Sequence, residues 1–162
     1  MDTTDREIVR LLQADGRMSH EQISKEINLS RPAVHDRIRR LELAGVIRGY
    51  AAQVDWDAFG LSLGAFIFVR VAGSCDPVIK EIMVLSGDDS VVLECHRIAG
   101  DWCLVVYTRS ASTSALQDLL DRLRPIPGVQ KTMTTIALSS VQPEDGCALI
   151  PAQTVGTLAA RS

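Results

Sequence analysis

The sequence predicts an α+β protein in two parts, and three observations carry that prediction. Three helical patterns crowd into the first 45 residues, and after a short polar stretch the hydrophobic period turns to strand-like alternation. The later patterns then run strand, helix, strand, strand, helix, strand. A length of 162 residues suits one domain or two small ones. With 46% hydrophobic and 23% charged residues, the composition excludes a wholly disordered chain. No apolar run approaches the ~20 residues of a membrane span. The acidic start Met1–Asp5 leads straight into a patterned helix, with no secretory or transit signal, so a soluble cytoplasmic protein is expected.

The first helix shows Ile8, Leu11 and Leu12 on one stripe, from near Thr4 to just before Asp15-Gly16. Ser19 caps a second, short helix, and Gln22 completes a capping box. Ile23 and Ile27 mark its buried side. After the tight turn Asn28-Leu29, Ser30 caps a third helix with Pro32 in its first turn, where a missing N–H costs nothing. Val34, Ile38 and Leu41 form its inner face, and Gly45 ends it. Val46–Ala52 reads as a short extended segment or small wing.

Three short helices with a tight turn between the second and third outline a helix-turn-helix unit, though a plain three-helix bundle has the same spacing. Charge separates the two readings. Residues 1–50 carry a net charge of +1 and residues 51–162 a net of −4, and Arg31–Arg48 holds five arginines against two acids. A local basic patch is what phosphate contact requires, even though the chain as a whole is at −3.

Residues 53–62 read as a linker between a helical domain at 1–52 and a sheet domain at 63–141. Leu63–Ala72 is a strand, Asp76-Pro77 opens a helix to about Leu85, and Val91–Ile98 and Cys103–Thr108 form a hairpin around Ala99–Trp102. Ser114–Arg124 is helical, and Val129–Val141 is the last strand. This order is the split βαβ of a ferredoxin-like sandwich. Its first and third strands are apolar at both parities (Ile67 and Val69 beside Phe66 and Phe68; Leu104 and Val106 beside Val105 and Tyr107). Helices cover one face, so the other calls for a second copy and a two-fold dimer. Residues 142–162 form a tail in which Cys147–Ile150 could add a strand and Thr154–Ser162 reads as a mobile end.

The four cysteines contain no CxxC pair and read as packing thiols, and Cys95-His96 point to opposite faces of a strand, against a zinc site. No Ser/His/Asp set, P-loop, HExxH or dinucleotide fingerprint is present, so neither catalysis nor a cofactor is expected. A small-molecule-binding regulatory subunit, using its helical head on a protein partner without DNA, is the competing function.

The run from Asp5 to Leu12, then DGRMS, LSRPAVHDRIRRLELAGVIRGYAA, ECHRIAGDW and LRPIPGVQKTMTTIAL together resemble the Lrp/AsnC, or feast/famine, family of transcriptional regulators over residues 2–141. The resemblance implies an N-terminal helix-turn-helix and an effector-responsive βαββαβ domain. It further implies dimers that assemble to tetramers or octamers, bind promoter DNA and answer to amino acids. By position, Arg31–Leu43 is the DNA-reading helix. Arg31, Ala33, His35 and Asp36 are candidates for base edges, and Arg37, Arg39 and Arg40 for phosphates or for bracing the helix. Asp36 serves alternatively as a partner of Arg39 and Arg40. Ser19, His20, Ser30 and Arg48 are candidates for added backbone contacts. The implied effector site is the turn His96–Cys103, with His96, Ile98, Gly100, Asp101, Trp102 and Cys103, and with Thr132 and Thr134 on the last strand. Many relatives carry an acid where Cys103 stands. Three explanations remain open for Cys103: a packing residue beside a different ligand or none, an amino acid held by Asp101 alone, or a redox thiol.

Overall fold

A computed structural model describes residues 1–139 and divides them into two compact units, one ending at Gln53 and the other starting at Val54. The tail and both features expected in it lie outside the described residues. The first unit holds three helices: α1 (Thr3–Ala14), α2 (His20–Glu26) and α3 (Arg31–Leu43). Each starts on a side chain that accepts from an orphan N–H: Asp2 from Asp5, Ser19 from Gln22, and Ser30 from Ala33. Asp2/Asp5 and Ser19/Gln22 are reciprocal capping boxes. Asn28 turns the chain between α2 and α3 at φ 53°, and Gly45 follows α3 at φ 68°, in the left-handed region that ends helices. Ile8, Leu11, Ile23, Val34, Ile38 and Leu41 form the core, one stripe from each helix. Val46–Ala52, expected as a short extended segment or small wing, pairs with no strand; the Val46 and Ile47 N–H groups both bond the Leu41 carbonyl.

The second unit is an antiparallel sheet with two helices on one face. Its elements are β1 (Leu63–Val71), α4 (Cys75–Met83), β2 (Ser90–Arg97), β3 (Leu104–Ser110), α5 (Thr113–Leu123) and β4 (Val129–Ala137), and the strand order is β2-β3-β1-β4. Along β1, Ala65, Ile67, Val69 and Val71 turn inward and pack with Val106 of β3, Val78 and Ile82 of α4, and Leu116, Leu119 and Leu123 of α5. Buried polar groups on this face are paired: the Ser90 hydroxyl donates to Ser110 Oγ at 2.9 Å, and Thr108 donates to the Ala65 carbonyl at 3.3 Å. A bulge between Val92 and Glu94 reverses the parity of β2, so Cys95 packs on the core while His96 turns outward. The stretch expected as a linker belongs by contact to this unit. Residues 56–60 make a tight turn closed by the Leu61 N–H on the Trp56 carbonyl at 2.9 Å, and Leu61 is buried. None of the described helices is long and apolar enough to cross a membrane.

Candidate nucleic-acid interface and effector turn

Helical spacing places Arg31, His35 and Arg39 on one exposed stripe of α3, away from the buried Val34, Ile38 and Leu41. His20, the first residue of α2, stands beside this stripe. Its ring lies 5.3 Å from that of His35, tilted by 55°. Two shallow surface recesses share His20, one with Arg31 and Ser19, the other with His35, Arg39 and Glu42. Two arginines and two imidazoles are therefore gathered on one edge of α2 and α3. Pro32 and the half-buried Ala33 keep the leading end narrow. Asp36 and Arg48 are exposed, and Asp36 makes no ion pair with Arg39 or Arg40 among the described residues. Ser19 and Ser30 use their oxygens as caps and keep their hydroxyl protons free to donate.

Arg37 and Arg40 face the other way. Arg37 Nη1 donates to Asp2 Oδ2 at 2.6 Å and to Asp5 Oδ1 at 2.7 Å, and Arg40 Nη2 donates to both Asp5 oxygens at 2.9 and 3.1 Å. The Asp5 side chain is 4% exposed, so its charge is held by these guanidiniums and by the Asp2 N–H. Burial works against the Asp5 carboxylate, yet the Asp2 N–H, Arg37 and Arg40 outweigh it and hold its pKa below the ordinary 3.8. Arg37 is thus engaged as the brace that the sequence left open for it, tying α3 to the start of α1. Arg40 keeps 62% of its side chain exposed and Arg39 has no such partner among the described residues.

The effector turn splits across the sheet. Trp102 lies on the outer, helix-free side, 6.2 Å from the Phe68 ring, with the Arg70 guanidinium 5.7 Å and the Lys131 ammonium 6.0 Å from its centroid. Arg70 Nε donates to the Asp101 carbonyl at 2.9 Å, fixing the turn against β1. Gly100 takes φ 132°, a conformation that side chains rarely adopt. Asp101 is exposed and Ile98 half-buried. His96, also outward, bonds Glu94 Oε2 at 2.8 Å. Cys103, Thr132 and Thr134 do not join them. Cys103 packs on the helix-side core, its Sγ taking the Val71 N–H at 3.4 Å, and Thr132 and Thr134 pair with the inward Val69 and Ile67. The period-two pleat puts Thr132 and Thr134 on the face of the sheet opposite to His96 within one protomer. Burial, and then the neighbouring Cys75, push the Cys95 thiol up, which disfavours its thiolate.

Sequence reasoning placed Phe68 only on the apolar sheet face and missed Arg70 and Lys131 beside this turn. The available signal was Arg70 itself, a cation at outward parity in an apolar strand. Elsewhere on the outer face lies an apolar patch in which Phe66 stacks on Tyr107 at 4.8 Å and Phe66 and Met133 are 41% and 43% exposed, bordered by Glu94, His96, Arg109 and Thr135.

Residues 1–48 match the family model described as winged helix-turn-helix DNA-binding, and residues 64–146 match that described as the Lrp/AsnC ligand binding domain. The chain is 36% identical over 140 residues to the HTH-type transcriptional regulator LrpA of Mycobacterium tuberculosis, covering 86% of this chain and 91% of the relative. It is 32% identical over 143 residues to the leucine-responsive regulatory protein of Escherichia coli, covering 88% and 87%. A feast or famine regulatory protein from M. tuberculosis, solved in complex with L-methionine, superposes with a TM-score of 0.80 at 34% identity, covering 88% of this chain and 95% of that one. The DNA-binding match over the helical unit decides against the alternative of a partner-directed head without DNA.

Proposed function

This chain belongs to the Lrp/AsnC family of transcriptional regulators, a DNA-binding head with a ligand-binding domain, and from that premise we propose how its own residues perform the task. Helix α3 enters the major groove of promoter DNA with Arg31, Ala33, His35 and Asp36 at base edges. Arg39, Arg40, Arg48 and the serines of the helix starts lie along the phosphates. The observation that carries this reading is the exposed Arg31–His35–Arg39 stripe beside His20, opposite a closed apolar core. An arginine on guanine discriminates by ~1–3 kcal/mol, whereas phosphate contacts set the salt dependence.

Two such heads are held together by the outer sheet face, where Phe66, Phe68, Val105, Tyr107 and Met133 form one apolar surface on a homodimer that assembles further to tetramers or octamers. A small metabolite of the amino-acid class, the kind the M. tuberculosis relative holds as L-methionine, binds at the turn around Gly100–Trp102. Its differential affinity for two assemblies changes how many heads engage DNA. The protein acts in the cytoplasm, and no step of this scheme is catalytic.

The decisive experiment is a gel shift with the protein's own promoter DNA across a salt series. Arg31→Ala with Arg39→Ala abolishes operator binding while sedimentation stays that of the wild type. Retained binding means that another surface reads DNA.

A further inference from the structure

Arg70 and Lys131 stand directly opposite each other on β1 and β4. Like charges in that position repel, so such a pair persists where something else rewards it. Both reach the Trp102 ring, and the attraction of the indole face holds two cationic heads at one aromatic platform. Neither forms an ion pair with a carboxylate among the described residues; Lys80 and Arg122 of the same unit form none either, while Arg97, Arg109 and Arg124 pair with Asp76, Asp57 and Asp121. Arg70 spends its Nε on the Asp101 carbonyl, which leaves the outer edge of the guanidinium for a ligand. Cys103, the residue after the indole, brings no carboxylate to this place and is bonded to the Val71 backbone.

We propose that Arg70, Lys131 and Trp102 form a binding site for a small organic carboxylate without an ammonium group, such as an α-keto acid. The carboxylate lies between guanidinium and ammonium, and the apolar body lies on the indole beside Phe68. An α-amino acid brings a further positive charge to a place that already holds two and offers one nearby acid, Asp101, to receive it. That repulsion selects the keto acid over the amino acid of the same side chain. The inference rests on reading this turn as the effector site.

The test uses the full chain in a Trp56→Phe background, which leaves Trp102 as the one indole. α-Ketoisocaproate is compared with leucine, and α-keto-γ-methylthiobutyrate with methionine, by indole fluorescence and by thermal shift. Each keto acid binds at least about tenfold tighter than its amino acid, and Arg70→Gln or Lys131→Gln each weakens it about tenfold or more. An amino acid that binds as tightly as its keto acid, or more so, overturns the proposal and leaves the effector reading standing. If neither class registers by either readout, the effector reading falls and the proposal with it. If the two variants instead loosen the dimer in sedimentation and leave ligand affinity unchanged, the cation pair serves a subunit contact and the proposal is wrong.

Discussion

Asp5 shows how one side chain can decide the stability of the reading head. It is a buried carboxylate that closes the α1 capping box and accepts from two arginines of α3. Removing its charge leaves Arg37 without its partly buried partner, and Asp5→Asn destabilises the helical unit by about 2–3 kcal/mol, less than for a fully buried pair because solvent screens Arg40. Urea unfolding monitored by circular dichroism measures this. The same carboxylate sets the acid limit. Its folded pKa is depressed, so its stabilisation is present in full above the unfolded value of 3.8 and is lost as pH falls through the lower folded value. Asp2 is shifted the same way, by its bond from Arg37 and then by the Asp5 N–H. Acid titration therefore weakens this unit below about pH 4, and Asp5→Asn shifts that midpoint. At this scale the sequence was only half legible. The apolar stripes and serine caps follow from local spacing, but which arginine braces and which stays free depends on a contact 32 residues apart, between Asp5 and Arg37. Cys103 illustrates the same limit: its replacement of an acid was visible, and its turn onto the Val71 backbone was not. Cys103→Val, filling a similar volume against the core, leaves stability within about 1.5 kcal/mol and ligand affinity unchanged in the thermal-shift assay.

At the scale of elements, the five helices and four strands expected within residues 3–137 are present, and the ends move by small steps for local reasons. Helix α4 starts at Cys75 rather than at Asp76-Pro77 because the Ser74 hydroxyl caps it, and β3 starts at Leu104 because Cys103 still turns with the hairpin. The two bulges, at Leu93 of β2 and at Gln130 of β4 opposite Arg70 and Val71, have no simple signature in sequence, yet they set which side chains of these strands face outward. The segment Val46–Ala52, which reads as a short extended segment or small wing, pairs with no strand, since the Val46 and Ile47 N–H groups bond the end of α3, where Gly45 has already reversed the chain. The turn between α5 and β4 is the most constrained of these connections. Gly128 adopts φ 97°, and a Cβ there would stand 3.3 Å from Val78 Cγ2 and 3.5 Å from the Ala72 carbonyl. Gly128→Ala combines a strained conformation with a collision against α4 and costs about 1–3 kcal/mol, read as a lower midpoint in thermal melting of the sheet unit.

At the scale of the whole molecule, the sheet offers two faces for packing. Its inner face is filled by α4 and α5, and its outer face keeps Phe66, Phe68, Val105, Tyr107 and Met133 in register across three strands. The sequence revealed this surplus through strands that are apolar at both parities, and a contiguous patch of this kind marks an interface. In the proposed dimer the strength of DNA binding depends on this surface: one head would read half a site, and joining two heads makes the second contact intramolecular, raising apparent affinity by about 10²–10⁴ without any new contact to DNA. Phe66→Glu places a charge in the middle of the apolar patch while leaving the inner core untouched, since Phe66 is already 41% exposed in the protomer. Sedimentation then shows the monomer, circular dichroism stays that of the folded chain, and operator affinity falls by about a hundredfold or more. Arg39→Ala, by contrast, weakens DNA binding and lowers its salt slope while the dimer persists. If the Phe66→Glu protein remains a dimer, the heads are paired by another surface. If it becomes a monomer and binds operator as tightly as before, the reading helix works alone and multivalency has no part in the mechanism.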